Sequence, residues 1–363
     1  MSEIADREEL RQIVAQMYEE LLAWKFWRGI GRIFKWLPGA KKTGMTLWLS
    51  SFLVIILSIF LCILLAWLIG AIEFFDRLNL IYIASMSAWI WLTINLAEWQ
   101  IRQSLNSIQK DALDILELPK GEREMMKWAG FVTNRHNQLV ATISFFILIC
   151  TISTLGMKLD FSHALGWIKF LHLLLGTGWW SFHATWIVVL ILFYGYHFRR
   201  WPTFLFQDDP ASTVSLLNLH RCADQLLMVS ALIATIGIPI SFILNNFTQI
   251  LLVTSAITLW FPLLAFYAVT EQSFSAQIRS SKDRRLTPLQ NQITQLDQRT
   301  NILDTETLKR VQALLDLHER IRRTPNSLIN VESLLNLFGS LALPLLGVLL
   351  NILDIWKKLF GIP

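Results

Sequence analysis

Several residues of the kinds that bind metal ions lie close together in the sequence. His220, Cys222 and Asp224 fall within five consecutive positions and offer nitrogen, sulfur and oxygen ligands. His136 and His197 each adjoin a long apolar segment, as His220 does. Together these side chains could form a metal site or a site at a haem edge.

A second set of histidines comprises His163, His172 and His183, with Asp160 nearby. Neither set has the ligand spacing of a recognised metal motif, and histidine also suits a boundary between apolar and aqueous surroundings. The sequence therefore predicts no metal and no cofactor, and it leaves the first set as the one to test.

The composition indicates that these residues belong to a membrane protein. Hydrophobic residues make up 54% of the chain and charged residues 16%, with 16 Trp and 23 Phe against 5 Tyr. Tryptophan at this density is typical of proteins that cross the lipid interface. The net charge of +5 is explained by the placement of basic residues beside the membrane, so we expect no binding of nucleic acid.

The longest uncharged stretch predicts a membrane hairpin. Between Gln225 and Thr270 lie 46 residues without Asp, Glu, Lys, Arg or His, and the polar cluster Asn245, Asn246, Thr248 and Gln249 falls near the middle. A bilayer core takes about 20 helical residues per crossing, so this length fits two crossings and a turn.

Five further apolar segments are long enough to cross a bilayer, which gives about seven spans. They are Thr43 to Ile72, Leu78 to Ala97, Asn137 to Met157, Trp179 to Phe198, and Ser333 to Leu353. All must be helical, because an open strand would leave backbone groups unpaired in hydrocarbon. The predicted class is an all-α polytopic membrane protein.

The distribution of Lys and Arg predicts the orientation. With a cytoplasmic N-terminus, 27 of the 32 basic residues lie on the inner side, as the positive-inside rule requires of a plasma or inner membrane. Lys357 and Lys358 on the tail are the discordant pair. They leave open whether 333–353 crosses the membrane or enters and returns.

The N-terminal arm, 1–42, contains two amphipathic patterns in series. The first has apolar residues at helical spacing and predicts a helix packed on protein. The second, 23–38, places basic and aromatic residues on opposite faces and predicts a helix lying on anionic lipid; packing beneath the helical bundle is the alternative. The residues that carry the lipid prediction are Lys25, Trp27, Arg28, Arg32, Phe34 and Lys35.

Two helical hairpins are expected in the cytoplasm, within 98–136 and 271–332. The second begins at Thr287-Pro288, a good helix start, and its seams lie within 286–323. Such short seams must pack on something. A protein partner or self-association through 286–323 is one interpretation, and packing within the molecule is the other.

No Asp, Glu, Lys or Arg lies near the centre of any predicted span, which disfavours proton-coupled transport, voltage sensing and intramembrane proteolysis. The sequence therefore predicts no enzyme, but an interaction or assembly component built from the arm 1–42, the bundle 43–270, the hairpin 271–332 and the segment 333–363. The alternative is a channel or passive transporter whose path follows helices kinked at Pro239, Pro262 and Pro344.

Overall fold

The structure, a computed structural model of the chain, describes residues 2–33, 43–156, 161–206, 208–245, 249–299 and 305–328. Over these residues the protein is mostly helical and no strand occurs, which confirms the predicted all-α class. In chain order the helices are α1 (Ser2–Glu20), α2 (Leu22–Ile33), α3 (Thr43–Leu68), α4 (Arg77–Ser107), α5 (Lys120–Thr133), α6 (Arg135–Gly156), α7 (Ala164–Leu192), α8 (Phe198–Arg200), α9 (Val214–Asn245), α10 (Gln249–Arg299) and α11 (Thr305–Arg323).

Helix α1 packs on the protein as its apolar stripe predicts. Leu10, Val14, Met17 and Leu21 recur at helical spacing, and all four are buried in the largest hydrophobic cluster of the described residues. The same cluster contains side chains of α4, α5, α7, α9 and α10. The N-terminal arm is therefore part of the core at this end of the bundle.

Two described helices are long and apolar enough to cross a membrane by length and composition, over Leu47–Leu68 and Asn79–Ala112. Much of the first helix faces away from the protein, since Phe52, Leu57 and Trp67 are all exposed. The first part of α7, Ala164–Gly176, is apolar as well.

Helix α4 runs past the predicted end of its span, as expected for the first limb of a hairpin. It widens into a π-turn at Ile108–Ala112, and α5 then returns the chain. The connection between them pairs with the segment after α8: the amide of Glu117 donates to Pro202 O (2.9 Å), and the amide of Phe204 donates to Ile115 O (2.6 Å). We call the paired segments, 113–118 and 201–206, the junction.

The predicted start of the second hairpin at Thr287 is wrong. Helix α10 continues through Thr287 and Pro288 to Arg299, so no new helix begins at Thr287. The Thr287 hydroxyl donates to Asp283 O (2.8 Å) within the helix, rather than acting as a cap. Proline removes only one donor from an otherwise continuous ladder, and the helix survives this loss.

Two of the three prolines predicted to kink a helix lie in described helices. Pro239 lies within α9 and Pro262 within α10. Pro344, the whole segment 333–353, Phe34 and Lys35 lie outside the described residues.

Candidate functional site

A histidine and two carboxylates meet where α9 and α10 pack together. Nδ1 of His220 lies 3.3 Å from Oδ2 of Asp224, and its Nε2 is in hydrogen-bond contact with Oε1 of Glu271. One ligand atom from each of the three side chains lies within 4.8 Å of the others. We call these residues the His220 triad.

The helices fix the triad from both sides. His220 and Asp224 are four residues apart and so share one face of α9. The imidazole of His220 lies edge-on to the buried ring of Phe274, with centroids 5.2 Å apart. On α10, the Ser273 hydroxyl donates to Gly195 O (2.7 Å), which sets the register that holds Glu271 against His220.

The electrostatics of the triad favour a cation. Burial alone lowers the pKa of His220, but the hydrogen bond with Glu271 and the charge of Asp224 raise it, and the carboxylates prevail, so the pKa lies above its ordinary value. Glu271 is only 5% exposed, and its second oxygen, Oε2, is buried without a hydrogen-bond partner among the described residues.

An open groove adjoins the triad. It has a volume of about 1000 Å³, and Glu271 lines it together with Tyr267, one turn earlier on α10. Three basic residues, Arg199, Arg279 and Arg284, line the same groove. Asp283 lines it as well, so Glu271 borders a space of mixed charge that a small polar molecule can enter.

The structure separates the other metal candidates from His220. The Cys222 thiol points to the Ser104 hydroxyl, with 3.9 Å between sulfur and oxygen. His136 is exposed and His197 is half-buried, and neither belongs to a group of three or more possible ligands within the described ranges. Of the two residues named beside His220 in the sequence, Asp224 lies next to it in the structure and the Cys222 thiol faces Ser104.

The second histidine set is dispersed as well. His172 is hydrogen-bonded to the Ser87 hydroxyl at 3.0 Å, whereas Nε2 of His183 lies 3.8 Å from Oε2 of Glu98. Glu98 is itself paired with Arg102, whose Nε lies 2.9 Å from its Oε1. This carboxylate already has a cationic partner.

Sequence reasoning missed Glu271, although a signal for it existed. Asp224 directly precedes the uncharged stretch from Gln225 to Thr270, and Glu271 directly follows it. If that stretch folds back on itself, its two ends meet at one side of the bundle. The carboxylates that flank a hairpin are then neighbours, 47 residues apart in sequence.

The residues of 23–38 that were predicted to lie on lipid differ in how exposed they are. Trp27 is buried, with its ring 6.1 Å from that of His183, so it packs on protein. Arg28 and Arg32 remain exposed on α2, and Lys25 is half-buried. Contact of the two arginines with anionic lipid stays a prediction.

The triad can hold a proton on the imidazole between its two carboxylates, or a metal ion in place of that proton. Comparison with protein-family models, with curated proteins and with solved structures found no significant match.

Proposed function

We propose that the protein is a multi-pass protein of a plasma or inner membrane, with about seven spans and a cytoplasmic N-terminus. Its role is non-catalytic assembly, in which two copies associate through the hairpin of α10 and α11. The observation that carries this proposal is an exposed apolar stripe on α11.

Exposed apolar side chains support the membrane location. On α3 they cover several sides of the helix, and on α6 Leu139, Ile143 and Ile147 form an exposed row at helical spacing. Exposed apolar surface on this scale is unusual in a soluble monomer, because each such side chain costs free energy in water. Lipid removes that cost.

The length of α10 supports a projection beyond the bilayer. Its 51 residues make a helix about 77 Å long, against about 30 Å of hydrocarbon. If the part before Glu271 crosses the membrane, the remainder extends roughly 40 Å into the cytoplasm. The hairpin then stands clear of the headgroups.

The projecting hairpin leaves apolar residues uncovered. Leu308 is 50% exposed and Leu315 is 48% exposed, while Val311 between them is half-buried. These three positions follow the spacing of a heptad seam. We call them the α11 stripe.

A second copy is the partner that this stripe fits. Two copies in one membrane share an orientation, so their α11 helices run parallel and each residue of the stripe meets its own counterpart. Gln312 and Leu314, which flank the seam, are uncharged and do not repel their equivalents. A seam of little more than one heptad is weak alone, but confinement to the membrane raises the effective concentration.

Disulfide cross-linking in native membranes tests this association. In a chain whose three native cysteines are replaced by Ser, Leu315→Cys should form covalent dimers under mild oxidation. Ala313→Cys, exposed on the same helix but turned away from the stripe, is the matched control. Absence of dimers, or equal dimer formation at both positions, would contradict the proposal.

Permeation through the spans is the competing function. It predicts solute flux in proteoliposomes that a Leu308→Glu, Leu315→Glu double variant leaves unchanged. Assembly through the stripe predicts instead that this variant loses dimers and, with them, any activity that depends on pairing.

A further inference from the structure

We propose that His220, Asp224 and Glu271 bind a divalent transition-metal ion of the first row. The site joins α9 to α10 beside the open groove. This proposal stands on the triad and does not depend on pairing through the α11 stripe.

The geometry is close to that of a metal site. One ligand atom from each residue lies within 4.8 Å of the others. Metal to nitrogen or oxygen bonds of about 2.0–2.2 Å place neighbouring ligands roughly 3–4 Å apart. Asp224 contacts Nδ1 of His220 and Glu271 contacts Nε2, so at least one of the carboxylates must rotate to meet the other at a single ion.

An unpartnered buried oxygen provides the second, independent observation. Oε2 of Glu271 is buried and accepts no hydrogen bond from the described residues. Leaving a buried carboxylate oxygen unsatisfied costs on the order of 1–3 kcal/mol or more. A cation bound at Oε2 of Glu271 satisfies this oxygen and compensates the charge of the two acids.

The ligand types select the class of ion. One imidazole and two carboxylates suit zinc, manganese, iron or cobalt, whereas calcium and magnesium prefer oxygen ligands alone. Cys222 is directed towards Ser104 and not towards the triad, so a thiolate-rich site of the copper(I) type is not formed by the described residues.

The groove gives the ion an accessible side. Tyr267 lies one turn before Glu271, lines the same groove, and has a buried hydroxyl without a hydrogen-bond partner among the described residues. Three protein ligands leave at least one coordination position free in a tetrahedral site. That position is available to water, to the Tyr267 hydroxyl, or to an anion drawn in by the neighbouring arginines.

Titration with cobalt tests the proposal on the tag-free, full-length protein purified in detergent. Cobalt(II) is the probe because coordination changes its visible absorption, and zinc is then added to displace it. We expect one equivalent of cobalt per chain with a Kd below about 100 µM, and full displacement by zinc. Wild-type protein that takes up no cobalt at that concentration would overturn the proposal.

Substitutions locate the ion. Asp224→Asn and Glu271→Gln should each weaken cobalt binding at least tenfold, because each removes an anionic ligand while keeping the size of the side chain. Asp224 is partly exposed, so its variant is expected to fold even if the Glu271 variant does not. Unchanged affinity in a folded Asp224→Asn or Glu271→Gln variant would refute the ligand set.

Two matched variants complete the experiment. Glu98→Gln removes another buried carboxylate beside a histidine, but one already paired with Arg102, and should bind cobalt as wild type does. Cys222→Ser should also be unchanged. Loss of binding in either variant would place the ion elsewhere and contradict the proposal.

Discussion

The side-chain hydroxyl of Thr203 donates a hydrogen bond to Oε1 of Gln277 at 2.6 Å, and both residues are buried. The amide nitrogen of the same glutamine donates to Phe198 O (2.5 Å) and to Trp201 O (2.8 Å). One side chain of α10 therefore satisfies three groups in and before the junction. These groups are buried away from water, so they depend chiefly on Gln277 for hydrogen bonding. Gln277 therefore fixes the position of α10 against the junction.

Gln277→Leu should destabilise the protein markedly. The substitution keeps the size of the side chain but removes the donor to the Trp201 carbonyl and the acceptor of the Thr203 hydroxyl, at about 1–3 kcal/mol each. The Phe198 carbonyl keeps a second donor, the amide of Trp201 (3.2 Å). We expect the midpoint of thermal unfolding in detergent, followed by circular dichroism, to fall by several degrees. Gln272→Leu, exposed on the same helix, is the control and should change it little.

Arg7 holds α1 on the junction. Its guanidinium donates to Leu113 O (2.7 Å), Asp114 O (2.9 Å) and Leu116 O (3.0 Å). Arg7→Lys keeps the charge but not the planar set of donors, so it should loosen α1. Hydrogen exchange by mass spectrometry should show faster exchange of α1 amides, with Glu9→Gln as the control. Unaltered protection in the lysine variant would mean that the apolar stripe alone docks α1.

Periodicity predicted the parts of the fold that depend on neighbours along the chain. The spacing of Leu10, Val14 and Met17 gave both the helix and its buried face, because residues three or four apart share a helix side. Contacts such as Arg7 with Leu113 join segments 106 residues apart, and no local pattern encodes them.

The candidate site shows the same division. His220 and Asp224 were visible as a pair because both lie on one helix, whereas Glu271 required the fold of the uncharged stretch to be taken into account. The prediction of a helix start at Thr287 failed because it relied on the local sequence alone. A sequence that suits a cap also fits inside a helix when flanking residues continue it, and the continuous packing of α10 decided the outcome.

Gly195 marks a close approach between the π-turn Phe193–His197 and α10. A Cβ atom added there would lie 2.9 Å from Cγ1 of Val269, so Gly195→Ala should destabilise the protein by about 1–3 kcal/mol. Val269→Ala removes the clash and should restore much of the lost stability in the double variant. Chemical or thermal unfolding in detergent measures both.

Gly130 provides the contrast. An added Cβ at this exposed position of α5 meets nothing within 4 Å. Gly130→Ala should therefore raise stability by up to about 1 kcal/mol, since alanine favours the helix. A loss of stability as large as that of Gly195→Ala would show that steric fit is not what distinguishes the two glycines.

The proposed topology predicts which surfaces a membrane-impermeant thiol reagent can reach. In a chain with the three native cysteines replaced by Ser, single cysteines at Phe75 and Phe161 should be labelled from outside intact cells. Cysteines at Lys120 and Gln292 should be labelled only after the membrane is opened. All four positions are exposed in the structure, so burial in the protein does not explain a difference.

The distribution of basic residues is the physical reason for this expectation, because Lys and Arg flanking the spans are retained on the cytoplasmic side. Labelling of Gln292→Cys from outside, together with protection of Phe75→Cys, would invert the orientation. Labelling of all four positions from outside would show that no membrane separates Phe75 and Phe161 from Lys120 and Gln292. Either result would also place the α11 stripe on a different side from the one on which we propose that two copies meet.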